Sequence, residues 1–299
     1  GVKVRDKNGD VLDIFAKTVI LASGGYGANK TMQQKFNPKV VSAKWVGLPH
    51  ATGDGINMAK KVGASLSFMD HLISYPGTVF DLKGVPTEIS TRLQFPPQHF
   101  TQSIWINKKG RRFVNEHTTP DNREVAFLAQ EELFFYVLFD ERMRAERGSL
   151  DIRNWSSNQM DQAIEQGNVI IKTDTMNQLA EKLKINPKRL SETILKYNTS
   201  IDSNQNDEFG RKEQRLKILK SPFYAFGVGG SVLNTHGGIS INNSLEVIDE
   251  SNRVIPGLYA IGETIGNGHL MGEGVVSGMS VGPAITFGRM VAKTAFRYA

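Results

Sequence analysis

Between residues 255 and 289 the chain reads I-P-G-L-Y-A-I-G-E-T-I-G-N-G-H-L-M-G-E-G-V-V-S-G-M-S-V-G-P-A-I-T-F-G-R, and no other stretch constrains the fold as much. Gly257-Leu258-Tyr259-Ala260-Ile261 reads as a short buried strand that halts at Gly262, where the backbone is free to turn and a ligand can come close. Glu263 then stands at the carboxyl end of that strand. In an open α/β sheet that end is where ligands bind, and a carboxylate there can accept two hydrogen bonds from a ribose diol. Past the glycines, Gly278, Ser280 and Val281 lead into a helical pattern of Ile285, Phe287, Met290 and Val291. Backbone N–H groups at its start can face a carbonyl-rich or anionic ligand. A glycine-rich loop before a plain core helix is the blander alternative.

Three further segments repeat the theme of a strand or helix end meeting glycines. Thr18-Val19-Ile20-Leu21-Ala22 fits a central parallel strand, and it ends in Ser23-Gly24-Gly25, where two glycines allow close approach of a ligand. Thr52-Gly53-Asp54-Gly55 opens a helix with Ile56, Ala59 and Val62 on one face, so Asp54 is its N-cap, a ligand contact, or both. Ser231 to Ile241 holds Asn234, Thr235, His236, Gly237 and Gly238 in another strand-and-turn pair. Before these, Asn8-Gly9 between two β-branched runs predicts an opening hairpin, and Asn29 can cap a helix that Asn37-Pro38 ends.

The middle of the chain has a different texture. Residues 103–107 and 111–116 read as a hairpin around Lys108-Lys109-Gly110, residues 134–140 as a buried strand, and 157–166, 176–183 and 187–204 as helices.

The order P-G-L-Y-A-x-G-E, a glycine-rich loop and a helix carrying T-F-G-R resembles the carboxyl end of FAD-dependent fumarate reductase and succinate dehydrogenase flavoproteins. The segment from Gly278 to Gly288 is also similar to 3-ketosteroid dehydrogenases, and Gly110 to Glu116 resembles the G-x-R-F-x-N-E signature of the capping domain. The resemblance covers essentially the whole chain. It implies a Rossmann-like α/β FAD-binding domain, here incomplete, in residues 1–68 and 230–299, with an α+β capping domain inserted at 69–229. No G-x-G-x-x-G opens the chain, so the expectation is a carboxyl-terminal part of a longer protein whose upstream FAD-binding segment is a required partner. By the same resemblance FAD is contacted by Ala22, Ser23, Gly24, Gly25, Asp54, Asn234, Gly262, Glu263, Gly278, Ser280 and Val281. The implied chemistry is hydride transfer between the flavin and a C–C bond beside a carbonyl or carboxylate. An electron-donor domain or protein is a further implied partner.

The substrate positions of that family depart together. Its proton-donating arginine corresponds to Pro120, its carboxylate-binding histidine to Leu233, its cap histidine to Tyr75, and no Arg or Lys occurs between Arg253 and Arg289. Each charged hydrogen bond is worth roughly 1.5–3 kcal/mol, so fumarate and succinate are poor substrates on this reading. An unsaturated acid or ketone with less charge fits better, and a steroid dehydrogenase, an enoate reductase or a non-catalytic flavin-binding remnant are the rivals. Replacement acids or bases are Tyr75, Arg123, His236 and Glu273, with His117 and His269 behind them.

Bulk properties narrow the classes. The 299 residues contain no cysteine, which removes disulfides, thiolate metal sites, iron–sulfur ligation and a covalent c-type haem from this chain and is neutral about compartment. The net charge is +6, yet its lysines and arginines are interspersed with acids, which argues against nucleic acid while suiting an acidic substrate. No apolar run is long enough to insert in a membrane.

Overall fold

A computed structural model describes residues 1–71, 74–91, 102–147, 150, 152–203, 205–212, 215–272 and 278–295. In chain order the first elements are β1 (Val2–Arg5), β2 (Val11–Ile14), β3 (Val19–Leu21), α1 (Lys30–Phe36), β4 (Lys44–Trp45), α2 (Asp54–Lys61) and β5 (Leu66–Ser67). There follow β6 (Tyr75–Phe80), β7 (Pro86–Ser90), β8 (Ile104–Ile106), α3 (Pro120–Leu128), β9 (Phe134–Asp140), α4 (Glu141–Arg147), α5 (Ser157–Gln166) and β10 (Ile170–Thr173). The rest are α6 (Met176–Leu183), α7 (Pro187–Asp202), β11 (Phe223–Val232), β12 (Gly238–Ile239), β13 (Glu246–Ile248), β14 (Val254–Ala260), α8 (Gly268–Met271) and α9 (Val281–Ala295).

These elements gather into two compact units. One comprises Gly1–Val41, Trp45–Ile73 and Val232–Ala299, the other Ser42–Lys44 and Ser74–Ser231.

In the first unit, β14 runs parallel to β3 with Tyr259 opposite Ile20, and β13 pairs antiparallel on the other side of β14. Leu21, Met32, Ile56, Ala59, Ile239, Val247 and Ala260 form its core. Asn29 caps α1 by accepting from the Met32 N–H, as the sequence suggests. The parallel pairing of β3 is as expected, but its central position is not met among the described residues. There it ends the order β13-β14-β3, and Ile20, which points away from the core, stays 40% exposed. The opening hairpin forms as β1 and β2, with Asp6 Oδ1 accepting from the Asn8 and Asp10 N–H groups around Gly9.

The other unit is built on an antiparallel sheet in the order β7-β6-β11-β9-β8, with β10 also on β11. Glycines in β11 make room for rings lying across it: a Cβ on Gly227 would come 2.6 Å from the Phe134 ring, and one on Gly229 would collide with Phe80. Ser156 and Thr175 form capping boxes with Gln159 and Gln178 at the starts of α5 and α6. The predicted hairpin after β8 is only half realised, because residues 111–116 make a single bridge, Ile106 to Arg112, in place of a strand. The reason is a buried ionic knot. Glu116 turns inward and its Oε1 accepts from the Trp105 N–H at 3.0 Å, occupying a donor that a returning strand would use.

Candidate functional site

β3 delivers Ala22 and Ser23 to the surface and then turns through Gly24, whose φ of +83° is a conformation L side chains rarely adopt. Hydrogen bonds from neighbouring segments fix the turn. Ser23 Oγ accepts from the Gly55 N–H at 3.1 Å, Thr264 Oγ1 accepts from the Gly24 N–H at 2.9 Å, and the Gly25 carbonyl accepts from Gly53 N–H at 3.0 Å. The first and third bracket Asp54, which is exposed in the opening turn of α2. Gly53 rather than Asp54 is the N-cap of that helix, so the sequence's capping alternative for Asp54 does not hold. Gly25 is needed for close approach: a Cβ there would collide with Thr235 Oγ1 and come 2.5 Å from Glu263 Oε1.

β14 reaches the same place from its parallel neighbour. The Ile261 N–H donates to the Leu21 carbonyl at 3.0 Å, so the two strands end together, and Gly262 turns with φ +65°. Glu263 Oε1 then accepts from both the N–H and the hydroxyl of Thr235, at 2.8 and 3.1 Å. Oε2 has no hydrogen-bond partner among the described residues, leaving one carboxylate oxygen open to a ligand. Burial pushes the Glu263 carboxyl above its ordinary value, and the two Thr235 bonds oppose that. On the far side, Asn234 and Asn267 both donate to Ser280 Oγ, at 3.1 and 2.9 Å, holding the start of α9. Gly278 has φ +83° with open space where a Cβ would be, and Val281 is exposed.

Thus the strand-end turn, the start of α2, the end of β14, Asn234-Thr235 and the start of α9 are knitted together by hydrogen bonds inside one unit. A family model described as the FAD binding domain, FAD_binding_2, matches residues 1–279. The chain belongs to that family. Its cofactor is FAD. The chain is 34% identical over 300 residues to the NADH:acrylate oxidoreductase of Vibrio harveyi, covering 99% of this chain and 28% of that protein. It is 30% identical over 299 residues to a probable fumarate reductase of Shewanella frigidimarina, covering 100% of this chain and 47% of that protein. The 3-ketosteroid delta1-dehydrogenase structure from Sterolibacterium denitrificans superposes with a TM-score of 0.78 at 23% identity, over 100% of this chain and 58% of the other, and so shares the fold. The chain spans less than half the length of either curated relative.

The residues present fit a flavin dinucleotide. The free Glu263 Oε2 suits a ribose hydroxyl, and the open faces of Gly24 and Gly278 allow backbone contact with a flat ring or a phosphate. Thr235, Thr264 and Asn267, which orient these groups, escape a reading based on glycines and charges. The signal for them is position alone: Thr264 directly follows Gly262-Glu263, and Thr235 directly precedes His236-Gly237-Gly238.

The proton-transfer candidates read from the sequence fall in both units. His236 is 1% exposed in the same unit as Glu263 and lines a small cavity with Tyr26, Gln33, Asn37 and His71. Burial pulls its ring down to about 4, only partly opposed by the Gly272 backbone, so it is a neutral imidazole at neutral pH. His269 shares a 2.9 Å hydrogen bond with Ser67 Oγ. Tyr75 and Arg123 belong to the other unit. Tyr75 starts β6, and burial first, then the charge of Glu124, pushes its phenol to about 12. Arg123 is 1% exposed and donates through Nη1 to the Glu116 carbonyl at 3.2 Å; burial pulls it to about 10. His117 is held through its backbone N–H by Asn115 Oδ1 at 2.9 Å. Glu273 lies outside the described residues.

Proposed function

We propose that this chain is the flavin-holding and substrate-holding part of a reductase of C=C bonds conjugated to a carbonyl or a single carboxylate. The observation that carries the reading is the Glu263–Thr235 pair beside the Ser23-Gly24-Gly25 turn, which supports a bound flavin, in a chain with no Arg or Lys from 254 to 288 to grip a dicarboxylate. Ala22, Ser23, Gly24 and Gly25 line the flavin through their backbone. Glu263 orients the ribose, Asp54 and Gly262 flank it, and Asn234, Gly278, Ser280 and Val281 present the start of α9 to the cofactor. Bound FAD supplies the hydride chemistry. The chain's own task is to bind the substrate, exclude water and hold a proton for the second carbon. Leu233, 51% exposed and uncharged just before Asn234, supports a substrate end that carries no second carboxylate.

The test is a flavin spectrum of the full-length protein, then reoxidation of its chemically reduced flavin by acrylate, urocanate, fumarate and a 3-ketosteroid in turn. Acrylate or urocanate is expected to reoxidise it faster than fumarate does. A flavin-free protein, or fumarate as the fastest oxidant, overturns the reading.

A further inference from the structure

We propose that one buried water molecule bridges Gln33, His71 and His236 and is a fixed part of the protein, tying the Asn234-Thr235-His236 segment to α1. The site lies wholly within the unit that holds Glu263, and the inference does not depend on the reductase reading.

A cavity of about 20 Å³ is lined by Tyr26, Gln33 and Asn37 in and around α1, by His71 after β5, and by Thr235 and His236 between β11 and β12. Seating one water takes roughly 10–15 Å³ of such space, so the cavity admits a water and excludes an organic ligand. Gln33 is 2% exposed, and bulk solvent reaches it no better than it reaches His236.

The polar atoms around this space call for a partner. Gln33 Oε1, His71 Nδ1 and both ring nitrogens of His236 are buried without a hydrogen-bond partner among the described residues. Buried polar atoms are rarely left so, because each forfeits its hydration with nothing in return. The Gln33 amide is oriented by its Nε2, which donates to the Gly27 carbonyl, and its remaining oxygen is purely an acceptor. His236, neutral because burial lowers its ring to about 4, offers one N–H donor and one acceptor nitrogen. The Gly272 backbone opposes that fall without reaching hydrogen-bond geometry. Tyr26 adds a donor: its hydroxyl accepts from Asn37 Nδ2 at 3.3 Å, and burial pushes its pKa to about 12, so it keeps its proton.

Water matches this mixed set. It donates to Gln33 Oε1 and to an unprotonated histidine nitrogen, and accepts from a histidine N–H or the Tyr26 hydroxyl, which supplies the three or so bonds a buried water makes. A metal ion could use the acceptors but would face the Tyr26 proton, and no group of three His, Cys, Asp or Glu able to hold one occurs among the described residues. Asn234 and Thr235 line the same cavity while bonding to Ser280 and Glu263, so the water braces the segment that orients the strand-end acid.

The test uses the full-length, FAD-loaded protein. A high-resolution crystal structure of wild type is inspected at the cavity, and the long-lived internal waters of wild type and of the double variant Gln33→Met, His236→Met are counted in solution by water-oxygen magnetic relaxation dispersion. Expected are a density peak about 2.7–3.2 Å from Gln33 Oε1 and from a His236 ring nitrogen, and the loss of one long-lived water in the double variant. A wild-type map without that peak overturns the proposal, and so does a peak about 2.0–2.2 Å from both histidine rings, which marks a metal ion. A folded double variant that keeps the full count of waters overturns it as well. If the double variant does not fold, the wild-type map decides alone.

Discussion

Thr235 holds Glu263 by two bonds to a single oxygen, its N–H at 2.8 Å and its hydroxyl at 3.1 Å, and so leaves the other carboxylate oxygen without a hydrogen-bond partner among the described residues. The acid at the end of β14 is thereby oriented before any ligand arrives, which lowers the ordering cost of binding. Glu263→Gln keeps the shape but loses the charge-assisted contact with a ribose hydroxyl. Such contacts are worth about 1.5–3 kcal/mol, so FAD affinity should fall roughly 10- to 150-fold. Flavin fluorescence titration of apo full-length protein reads this directly, and an unchanged dissociation constant removes Glu263 from the cofactor site.

Gly25 has a steric role where Glu263 has an electrostatic one. Gly25→Ala drives a methyl into Thr235 Oγ1 and the Glu263 carboxylate, so the turn and the β14 end must separate. Overpacking of this kind costs about 1–3 kcal/mol, and here it also misdirects the carboxylate. Expected are a lower melting temperature and weaker flavin retention together. Gly24→Ala meets no atom and suffers only the strain of its positive φ, so its loss of stability should be the smaller. Equal effects at the two positions would contradict the crowding argument.

In the other unit, Arg112 grips Glu116 through Nε and Nη2, at 2.9 and 2.6 Å, and reaches Asp207 through Nη1 at 2.7 Å, while Arg211 adds a 3.0 Å contact to Glu116. Two cations balance two anions with their side chains at most 2% exposed. Burial pushes the Glu116 carboxyl up, but Arg112 and Arg211 together outweigh it and bring it to about 2. A carboxyl depressed in the folded state contributes stability that is fully present above its unfolded value of about 4.3 and is lost as pH falls through the folded value. Acid unfolding of wild type should therefore steepen between about pH 4.3 and 2. Glu116→Gln, which leaves two buried cations facing one anion, should cost about 3–5 kcal/mol in denaturant unfolding at neutral pH. A loss below 1 kcal/mol, in the range typical of exposed pairs, would show that the knot is not structural.

The legible parts of the fold were those where local chemistry and tertiary demand agree. Residues 134–140 combine aromatic and β-branched side chains and form β9, and Ser156 and Thr175 start α5 and α6 with their capping boxes. The return arm after β8 reads as a strand because Arg112-Phe113-Val114 alternates, yet the pull of Glu116 into the ionic knot overrides that pattern. At the site, glycines and the strand-end acid stand out because turns and carboxylates have sequence signatures. Thr235, Thr264 and Asn267 do not, since a hydroxyl or amide acquires its partner only when distant strands close.

His236 gives the last expectation, because a buried neutral imidazole is a source of acid sensitivity. Its folded pKa, near 4, lies below the ordinary value of 6.5, so between those values the unfolded chain binds the proton and the native one does not. Stability therefore rises with pH across this window and is progressively lost as pH falls from 6.5 toward 4, the opposite limb from a histidine that gains an acidic partner. Replacing His236 by Met keeps a similar volume in the cavity and removes the titration. Unfolding free energies of wild type and His236→Met, measured at intervals from pH 7 to pH 4, should converge or cross as the medium becomes more acidic. Parallel curves over that range would mean that His236 takes up its proton in the folded protein as readily as in the unfolded one, and that burial beside Gln33 and His71 does not hold it neutral.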